Sequence, residues 1–421
     1  MNLKLIKSIS NKKSEINISG SKSETNRLLL LQALYPNITL KNVSNSDDSE
    51  VMTKALKYFQ LPTSNFPQID IHHAGTAMRF LTAYFAQKEG SEVVLTGSAR
   101  MQERPISVLV DALKQLGADI EYVNNFGYPP LRISGRKLTR NKVSLPANVS
   151  SQYISALLLI APKLENGLEL TLIGEITSIP YIKMTLALLN EIGVETSFEN
   201  NIIKIIHLFS VSSQGIKAII ESDWSSASYF YSIIAFSEIG TEITLSTFKK
   251  NSLQGDAALV EIYKNFGVST TFNDNRSITI SKIEIHKTEK VSLNLNNCPD
   301  IAQTIAVTCF GLGIGCHLMG LHTLKIKETD RLEALQIEFT ILGANISITN
   351  DSLTIVANFP QFLERAGAEI KTYQDHRMAM AFAPLALKME LIIQNAEVVT
   401  KSYPNFWIDL ESIGFNINYN F

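Results

Sequence analysis

Apolar and polar residues follow a helical period that is broken at regularly spaced glycines. In the clearest copy, the amphipathic stretch 111–116 ends at Gly117, and the strand-like stretch 118–120 follows at once. Because glycine has no Cβ, it readily takes the left-handed conformation that ends a helix. The same order of helix, glycine and strand recurs at Gly193, Gly267, Gly343, Gly414 and, with glutamine in place of glycine, at Gln60.

A second and more apolar helix recurs with nearly the same period. It begins first at Lys22, again at Gly75, and then at intervals of 74 or 75 residues, at Ser150, Ser225, Pro299 and Gln374. The repeating unit therefore reads helix, strand, helix, glycine, strand, which is too long for a solenoid repeat. Six such units, grouped three and three, predict an α/β protein of two domains, each built around a pseudo-threefold axis.

The composition limits the classes of partner. The 421 residues carry 38 basic and 40 acidic side chains, a formal net charge of -2. Such a chain has no overall field for nucleic acid or an anionic membrane, so any affinity for anions must be local. The three cysteines, Cys298, Cys309 and Cys316, form neither a disulfide framework nor paired metal ligands, which predicts a reducing compartment.

Two segments bear on the question of a membrane. Residues 301–324 contain no Lys, Arg, Asp or Glu, and their number alone would allow a membrane span. Glycines crowd the second half of this segment, so we expect a buried helix that runs into a strand. The basic stretch 1–9 gives way to polar residues too soon for a signal peptide. We therefore expect a soluble, cytoplasmic protein that binds neither nucleic acid nor membranes.

Polar and basic residues collect where these helices begin. The free N–H groups and the dipole of a helix start attract anions, and added Lys or Arg strengthens the attraction. Hydroxyl and carboxylate groups at helix starts are also common caps, worth ~1 kcal/mol each. For Asp223, Ser225 and Ser226, capping is the role we expect. The basic starts are at Lys22, Arg27, Arg79, Arg104, Lys327, Arg331, Arg377 and Lys401.

These motifs together resemble the 5-enolpyruvylshikimate-3-phosphate synthase family. The resembling segments lie in the order of that family and span nearly the whole chain: 20–27, 74–79, 100–106, 150–152, 225–230, 327–331 and 375–380. The resemblance implies an enolpyruvyl transferase-like inside-out α/β barrel with two domains of three units. It implies a first domain of residues 1–20 plus 222–421, a second domain of residues 21–221, and an active site in the cleft between them.

The resemblance also implies a reaction. That family transfers the enolpyruvyl group of phosphoenolpyruvate to the 5-hydroxyl of shikimate 3-phosphate and releases phosphate, by addition and elimination through a tetrahedral intermediate. The implied catalytic residues are Asp300 as base at the hydroxyl, Glu328 as acid and base at the methylene carbon, and Lys22. No metal or cofactor is implied, and we expect a monomer.

The implied binding residues form two sets, one for each substrate, and two further residues have supporting roles. For shikimate 3-phosphate the set is Lys22, Ser23, Arg27, Ser150, Ser151, Gln152, Ser178, Tyr181, Asp300 and Lys327. For phosphoenolpyruvate it is Lys22, Gly75, Arg104, Gln152, Arg331, Arg377 and Lys401. The supporting residues are Thr76 and His376, the latter beside Glu328.

Two alternatives remain open from the sequence. A UDP-N-acetylglucosamine enolpyruvyl transferase would share the architecture and the donor, but the motifs fit it less well. A non-catalytic sensor of the same fold would bind the anions without turnover. The chain also departs from the usual pattern of the resembling family at His73, Phe80 and Thr323.

Overall fold

The protein is described by a computed structural model over residues 1–58, 67–148, 150–208, 215–285, 288–357 and 367–419. By its internal contacts the chain divides into a first unit, Met1–Gly20 with Glu221–Phe421, and a second unit, Ser21–Ile220. Gln60, the glutamine of the degenerate repeat, lies outside the described residues.

Glu221, which the sequence assigned to the second domain, belongs to the first unit. Its buried carboxylate accepts hydrogen bonds from Trp224 Nε1 at 2.8 Å, from the Lys249 amide at 2.9 Å and from Ser252 Oγ at 2.7 Å. All three donors lie in the first unit, so the division falls one residue earlier than predicted.

Strands and helices follow each other in a regular order. The first unit begins with β1 (Leu3–Ile6) and β2 (Lys13–Asn17). The second unit then contains α1 (Lys22–Leu34), β3 (Ile38–Lys41), α2 (Asp47–Tyr58), β4 (Gln68–Asp70), α3 (Gly75–Gln87), β5 (Glu92–Thr96), α4 (Ala99–Gln102), α5 (Ser107–Leu116), β6 (Asp119–Tyr122), β7 (Leu131–Ser134), β8 (Lys142–Pro146), α6 (Ser151–Ile160), β9 (Leu168–Ile173), α7 (Ile179–Glu191), β10 (Thr196–Glu199), β11 (Ile202–Ile205) and β12 (Ile216–Ile219).

The first unit resumes after β12. It contains α8 (Trp224–Phe236), β13 (Glu242–Ser246), α9 (Leu259–Ile262), β14 (Val268–Phe272), β15 (Ser277–Lys282), β16 (Lys290–Asn294), α10 (Ala302–Leu312), β17 (Gly315–Met319), α11 (Arg331–Ile341), β18 (Ile346–Ile348), β19 (Ser352–Ile355), β20 (Ala368–Ile370), α12 (His376–Phe382), β21 (Leu391–Ile393), α13 (Phe406–Ser412) and β22 (Asn416–Asn418). Short 3-10 helices lie between these elements, among them Gly255–Ala258, Pro299–Ile301 and Ala396–Lys401.

Each complete repeat forms one four-stranded sheet. In β4-β5-β7-β6, the first pair is parallel and the next two pairs are antiparallel. The same pattern holds for β8-β9-β11-β10, β16-β17-β19-β18, β2-β13-β15-β14 and β20-β21-β1-β22. The predicted unit of helix, strand, helix, glycine and strand therefore lacked two strands, one before the first helix and one at the end. These strands are short: β4 and β20, for example, have three residues each.

The chain start completes two sheets of the first unit. Strand β1 pairs antiparallel with β21 and β22, and β2 pairs parallel with β13. The second unit has two four-stranded sheets and a small parallel pair, β12 with β3. The smaller sheet belongs to the shorter first repeat, as the reduced spacing between Lys22 and Gly75 indicated.

The more apolar helices lie at the centre of each unit. In the first unit α10 packs against α8 and α12, and in the second α3 packs against α6 and α1. Almost every residue of α8, including Trp224, Tyr229 and Phe230, is buried. A helix that is apolar on all sides is stabilised only when it is covered on all sides. The starts of these central helices are the places where the sequence concentrates its polar and basic residues.

The glycine positions predicted from the pattern are confirmed. Gly117 ends α5 with a φ of 105°, and Gly267 and Gly414 have φ values of 73° and 108°. Segment 301–324 forms the buried helix α10 followed by β17, as expected. Among the described helices, none has both the length and the apolar character needed to cross a membrane.

Candidate active site

In the first unit, the predicted site residues gather around the guanidinium group of Arg331. This side chain begins α11 and is 1% exposed. It donates from Nε to Asp375 Oδ2 at 2.6 Å, from Nη1 to Asp300 Oδ1 at 2.9 Å and from Nη2 to Glu328 Oε2 at 2.9 Å. We call these residues, with the three cations described next, the Arg331 cluster. One buried cation thus holds three carboxylates, two of which are the predicted proton-transfer groups.

Three further cations complete the Arg331 cluster. Lys401 Nζ donates to Glu328 Oε1 at 2.6 Å, and Lys327 Nζ lies 3.3 Å from Asp300 Oδ1. Arg377 Nη2 lies 3.4 Å from Asp300 Oδ2, and its Nη1 donates to the Asp300 carbonyl at 3.0 Å. Four cations therefore face three carboxylates, and the cluster has an excess of positive charge.

The charged groups of the Arg331 cluster shift one another's pKa values. Burial would raise the pKa of Asp300, but Arg377, Lys327 and Arg331 hold that pKa well below its ordinary value of 3.8. Burial opposes the charge of Arg331, yet Asp375, Glu328 and Asp300 raise its pKa above the usual value. Burial lowers the pKa of Lys327, and the neighbouring Asp300 works against this shift. Asp300 is therefore ionised, the form that a base needs, but its cations make it a weak base.

Two acidic residues of this region were not predicted as site residues. Asp375 is 0% exposed and accepts from the Arg377 amide at 2.8 Å as well as from Arg331, so it caps α12 and positions two cations at once. Asp256 is 3% exposed and accepts a hydrogen bond from Ser225 Oγ. Asp375 could have been found, since it directly precedes the motif residue His376. Nothing in the local sequence pattern marks Asp256.

Capping was the role expected for Asp223, Ser225 and Ser226. Asp223 does cap α8, accepting from the Ser226 amide at 2.9 Å. The Ser225 hydroxyl instead forms hydrogen bonds with two side chains. It donates to Asp256 and accepts from Arg377 Nη2 at 3.2 Å. The expectation was therefore wrong for Ser225 and Ser226, because both residues lie inside the helix, past the capping position at Asp223.

His376 is buried beside Asp375, with Nδ1 3.7 Å from Asp375 Oδ1. This contact is with the carboxylate that holds Arg331. The predicted support of Glu328 by His376 stays a prediction.

In the second unit, Arg27 forms the centre of another group, which we call the Arg27 cluster. Its guanidinium donates to Thr185 Oγ1 at 2.8 Å, to Ser155 Oγ at 2.9 Å and to the Ser23 carbonyl at 2.8 Å. The group lies over the Tyr181 ring, 5.8 Å from its centre. Burial lowers the pKa of Arg27 to about 10. In the part of the chain that the structure describes, no carboxylate forms an ion pair with this buried cation.

Lys22 begins α1 and is held by Asp48. Lys22 Nζ lies 3.3 Å from Asp48 Oδ2, and the Asp48 side chain is 2% exposed. Lys22 keeps a partly exposed side chain while its carboxylate partner is buried. The sequence did not predict this partner, because Asp48 lies in the first turn of a different helix, α2.

The Gly75 cluster forms at the start of α3, from Gly75, Thr76, Arg104 and Gln152. Gln152 Nε2 donates to Thr76 Oγ1 at 3.1 Å. The Arg104 guanidinium lies so close to Gly75 that a Cβ on that residue would be 2.7 Å from Arg104 Nη1. Among the described residues, Arg104 has no hydrogen-bond partner for its buried Nε and forms no ion pair. Because Gly75 has no side chain, the half-buried Arg104 guanidinium can lie against it.

The three remaining predicted residues all lie at helix starts. Ser150 caps α6 by accepting from the Gln152 amide at 3.4 Å, and Ser151 is buried beside it. Ser178 precedes α7 with a φ of 54°, in the left-handed region that costs a serine free energy. Its hydroxyl does not cap its own helix.

Both units therefore carry cations at the starts of buried helices. Arg27 and Arg104 have no carboxylate partner among the described residues, and the Arg331 cluster has surplus positive charge. Such groups suit ligands with several negative charges, and Asp300 and Glu328 add groups able to move protons. Within the described residues, no set of three or more His, Cys, Asp or Glu side chains is arranged to hold a metal ion.

Known proteins of one family are similar to this chain. The family model for EPSP synthase (3-phosphoshikimate 1-carboxyvinyltransferase) matches residues 6–410. A 3-phosphoshikimate 1-carboxyvinyltransferase of Bacteroides fragilis (strain YCH46) is 44% identical over 409 residues, covering 96% of this chain and 96% of the relative. One of Mannheimia haemolytica is 35% identical over 434 residues, covering 96% of this chain and 98% of the relative.

Solved structures show the same fold. An EPSP synthase structure from Acinetobacter baumannii, determined at 2.37 Å, superimposes with a TM-score of 0.77 at 21% sequence identity. The match covers 99% of each chain. The mixed α/β fold with helices and sheets repeated in two units is therefore the fold of these enzymes, as the sequence predicted.

Proposed function

The chain belongs to the EPSP synthase family, and from this premise we propose which of its residues bind the substrates and move the protons. The enzyme is a transferase: it moves the enolpyruvyl group of phosphoenolpyruvate to shikimate 3-phosphate in the biosynthesis of aromatic compounds. The nucleotide-sugar alternative is not favoured, because the family model and the relatives all name the shikimate reaction. The observation that carries the residue assignment is the Arg331 cluster, in which Asp300 and Glu328 share one buried cation.

Cationic and polar residues are assigned to phosphoenolpyruvate. We assign Arg331, Arg377 and Lys401 of the first unit, and Lys22, Gly75, Arg104 and Gln152 of the second, with Thr76 in support. The planar guanidinium of an arginine can bind a carboxylate or phosphate with two hydrogen bonds. The Arg104 guanidinium, which forms no ion pair among the described residues, can accept such an anion without giving up a protein partner.

Shikimate 3-phosphate is bound mainly around Arg27. The assigned residues are Lys22, Ser23, Arg27, Ser150, Ser151, Gln152, Ser178, Tyr181, Asp300 and Lys327. A buried cation that has only hydroxyl, carbonyl and aromatic partners is costly to desolvate. A phosphate group near Arg27 would compensate this charge, which supports the assignment.

The proton transfers are assigned to Asp300, Glu328 and Lys22. Asp300 takes the proton of the 5-hydroxyl as its oxygen attacks phosphoenolpyruvate. Glu328 first takes up a proton from solvent and then gives it to the methylene carbon. The resulting tetrahedral intermediate then loses phosphate while Glu328 takes a proton back. Asp300 is a weak base while four cations surround it and its neighbours. Anionic substrates that share these cations would raise its basicity at the moment when it is needed.

We further propose that the protein is a cytoplasmic monomer that uses no metal or organic cofactor. Size-exclusion chromatography with light scattering tests the monomer. Activity that survives exhaustive treatment with a chelator, and is not raised by added metal, tests the independence from metal.

The first test is phosphate release. Purified protein is incubated with phosphoenolpyruvate and either shikimate 3-phosphate or UDP-N-acetylglucosamine. We expect release only with shikimate 3-phosphate, and Asp300→Asn and Glu328→Gln should then each lose most of the activity. Binding of shikimate 3-phosphate without any release would instead favour a sensor. Glu261→Gln is a suitable control, because Glu261 pairs only with Lys264 on the surface among the described residues.

A further inference from the structure

The short helix Gly255–Ala258 of the first unit brings a buried carboxylate near the Arg331 cluster. Asp256 is 3% exposed, and its Oδ2 accepts a hydrogen bond from Ser225 Oγ. Ser225 Oγ in turn accepts from Arg377 Nη2 at 3.2 Å. A hydroxyl has one proton to donate, and here that proton is used on Asp256. The oxygen lone pairs of Ser225 are therefore directed to the Arg377 guanidinium.

The backbone around Asp256 is fixed to the start of α8. Gln254 Oε1 accepts from the Trp224 amide at 3.0 Å, and Gln254 Nε2 donates to the Ser222 carbonyl at 2.9 Å. The neighbouring Asp256 and Ser225 are thus held on two segments that are already joined. These bonds hold the segment of Asp256 next to the start of α8.

The charges around Asp256 are unbalanced. Asp300 and Asp223 face it with negative charge, Arg377 with positive charge, and Cys298 with a thiol whose pKa is raised to about 12 by burial, Asp256 and Asp300. In the described part of the chain, Oδ1 of Asp256 is buried without a hydrogen-bond partner. Asp300, by contrast, lies among three cations. Of the two carboxylates near Arg377, Asp256 is the one less stabilised in its charged form.

We propose that Asp256 is a positioning residue for the enolpyruvyl transfer: through Ser225 it fixes the Arg377 guanidinium, and it takes up a proton from solvent when an anionic substrate binds there. The inference rests on the proposed role of Arg377 in binding phosphoenolpyruvate. Asp300 already pairs with this guanidinium, Asp256 is connected to it through Ser225, and the substrate adds further negative charge. Like charges disfavour each other's ionised form, so the least stabilised carboxyl group becomes neutral first.

The direction of the pH effect follows from the same geometry. Burial and Asp300 raise the pKa of Asp256 to about 7, although Arg377 and Ser225 lower it. Below this pH the carboxyl is neutral and does not repel the substrate. Above it the carboxylate must be protonated before or during binding, so the KM for phosphoenolpyruvate should rise with pH. In Asp256→Asn the side chain at this position is neutral at every pH. The KM of this variant for phosphoenolpyruvate should therefore lack the part of the rise with pH that ionisation of Asp256 causes.

The experiment compares the KM for phosphoenolpyruvate in wild-type enzyme and Asp256→Asn at saturating shikimate 3-phosphate, from about pH 6 to about pH 8.5. The substrate's own ionisation affects both proteins equally and cancels in the ratio. We expect the ratio of wild-type to variant KM to rise by about threefold or more over this range. Glu338→Gln is the matched control, because Glu338 is also buried, accepts from a tyrosine hydroxyl and has a raised pKa, but contacts no assigned residue. For that control the ratio should stay constant.

Variants of Ser225 test the positioning independently and do not require Asp256→Asn to fold. Ser225→Ala should raise the KM for phosphoenolpyruvate by about fivefold or more at every pH, with the KM for shikimate 3-phosphate unchanged. Ser225→Thr keeps the hydroxyl and should restore the wild-type value. A pH-independent ratio for Asp256→Asn would overturn the proton uptake, and an unchanged KM in Ser225→Ala would overturn the positioning.

Failure of the proposed function can be told apart from failure of this inference. A wild-type enzyme that releases no phosphate would refute the function itself. An Arg377→Lys variant with an unchanged KM for phosphoenolpyruvate would remove the premise that Arg377 binds this substrate. Only when both tests succeed does a flat Asp256→Asn ratio count against the role of Asp256.

Discussion

Arg331 Nε lies 2.6 Å from Asp375 Oδ2, and both side chains are almost completely buried. Asp375 also accepts from the Arg377 amide, so a single carboxylate fixes the cation that holds Asp300 and Glu328 and caps the helix that carries Arg377. The pair therefore connects the stability of the first unit to the geometry of the proposed catalytic groups. A buried pair of this kind is hard to alter on one side, because the remaining charge stays buried without its partner.

Replacement of Asp375 should reduce both stability and activity. For Asp375→Asn we expect a loss of about 3 kcal/mol in the free energy of unfolding, since Arg331 loses its shortest ion pair. The kcat should fall by at least about tenfold, because Arg331 would no longer hold Glu328 and Asp300 in place. Chemical denaturation and steady-state kinetics measure the two effects. Glu261→Gln, in an exposed pair, should change the unfolding free energy by less than about 1 kcal/mol. Equal effects of the two substitutions would contradict the importance of the buried pair.

A methyl group at Gly75 should weaken phosphoenolpyruvate binding in particular. The new Cβ would lie 2.7 Å from Arg104 Nη1, so the guanidinium must move away. For Gly75→Ala we expect the KM for phosphoenolpyruvate to rise by about tenfold, with a much smaller change in the KM for shikimate 3-phosphate. Steady-state kinetics with each substrate varied in turn makes the comparison within one variant. A parallel rise of both constants would indicate a general distortion and contradict the placement of Arg104.

Much of the fold could be predicted from the sequence, because glycines and apolar helices recur in it at regular intervals. Gly117 and Gly414 mark helix ends through their left-handed backbone, and Gly75 marks a buried helix start. The strands before each central helix were missed, since strands such as β4 have only three residues and no marker beside them. Their pairing depends on contacts that are distant in sequence, as in β1 with β21.

The site was harder to predict than the fold. The resemblance to a known family supplied the cations and the two proton-transfer carboxylates, and the structure brings Asp300 and Glu328 to one guanidinium. It did not supply Asp48, Asp256 or Asp375, which act on other side chains through hydrogen bonds. Such partners carry no periodic pattern, and only the three-dimensional arrangement reveals them.

Lowering the pH should remove the contribution of Asp300 to the free energy of unfolding. Burial works against its charge, but Arg377, Lys327 and Arg331 hold its folded-state pKa well below 3.8. A carboxyl group with a lowered pKa contributes stability that is complete above the unfolded-state pKa and disappears as pH falls through the folded-state value. The stability difference between wild type and Asp300→Asn should therefore be constant from neutral pH to about pH 5, and shrink below about pH 4. Denaturant unfolding at several pH values measures it. A difference that is the same at every pH would contradict the charge network around Asp300.

Arg27 should be more important for binding than for stability. Its three described hydrogen bonds go to Thr185, Ser155 and the Ser23 carbonyl, and among the described residues no carboxylate forms an ion pair with it. In Arg27→Met, the two hydroxyls still have partners, because Thr185 Oγ1 donates to the Tyr181 carbonyl at 2.8 Å and lies 3.0 Å from Ser155 Oγ. We therefore expect the Tm without ligand to stay unchanged or rise, while the affinity for shikimate 3-phosphate falls by about 100-fold or more.

Thermal unfolding with and without shikimate 3-phosphate tests the role of Arg27 in one assay. A ligand that binds only the folded state raises the Tm in proportion to its affinity, so wild-type enzyme should be stabilised and Arg27→Met should not. Arg140→Met is the control. Arg140 is exposed, and the hydrogen bond of its guanidinium goes to a backbone carbonyl, so this variant should keep the ligand-induced rise. A rise in Arg27→Met equal to that of wild type would show that the buried cation does not bind the phosphate, and the shikimate 3-phosphate site would have to be sought elsewhere among the helix starts of the second unit.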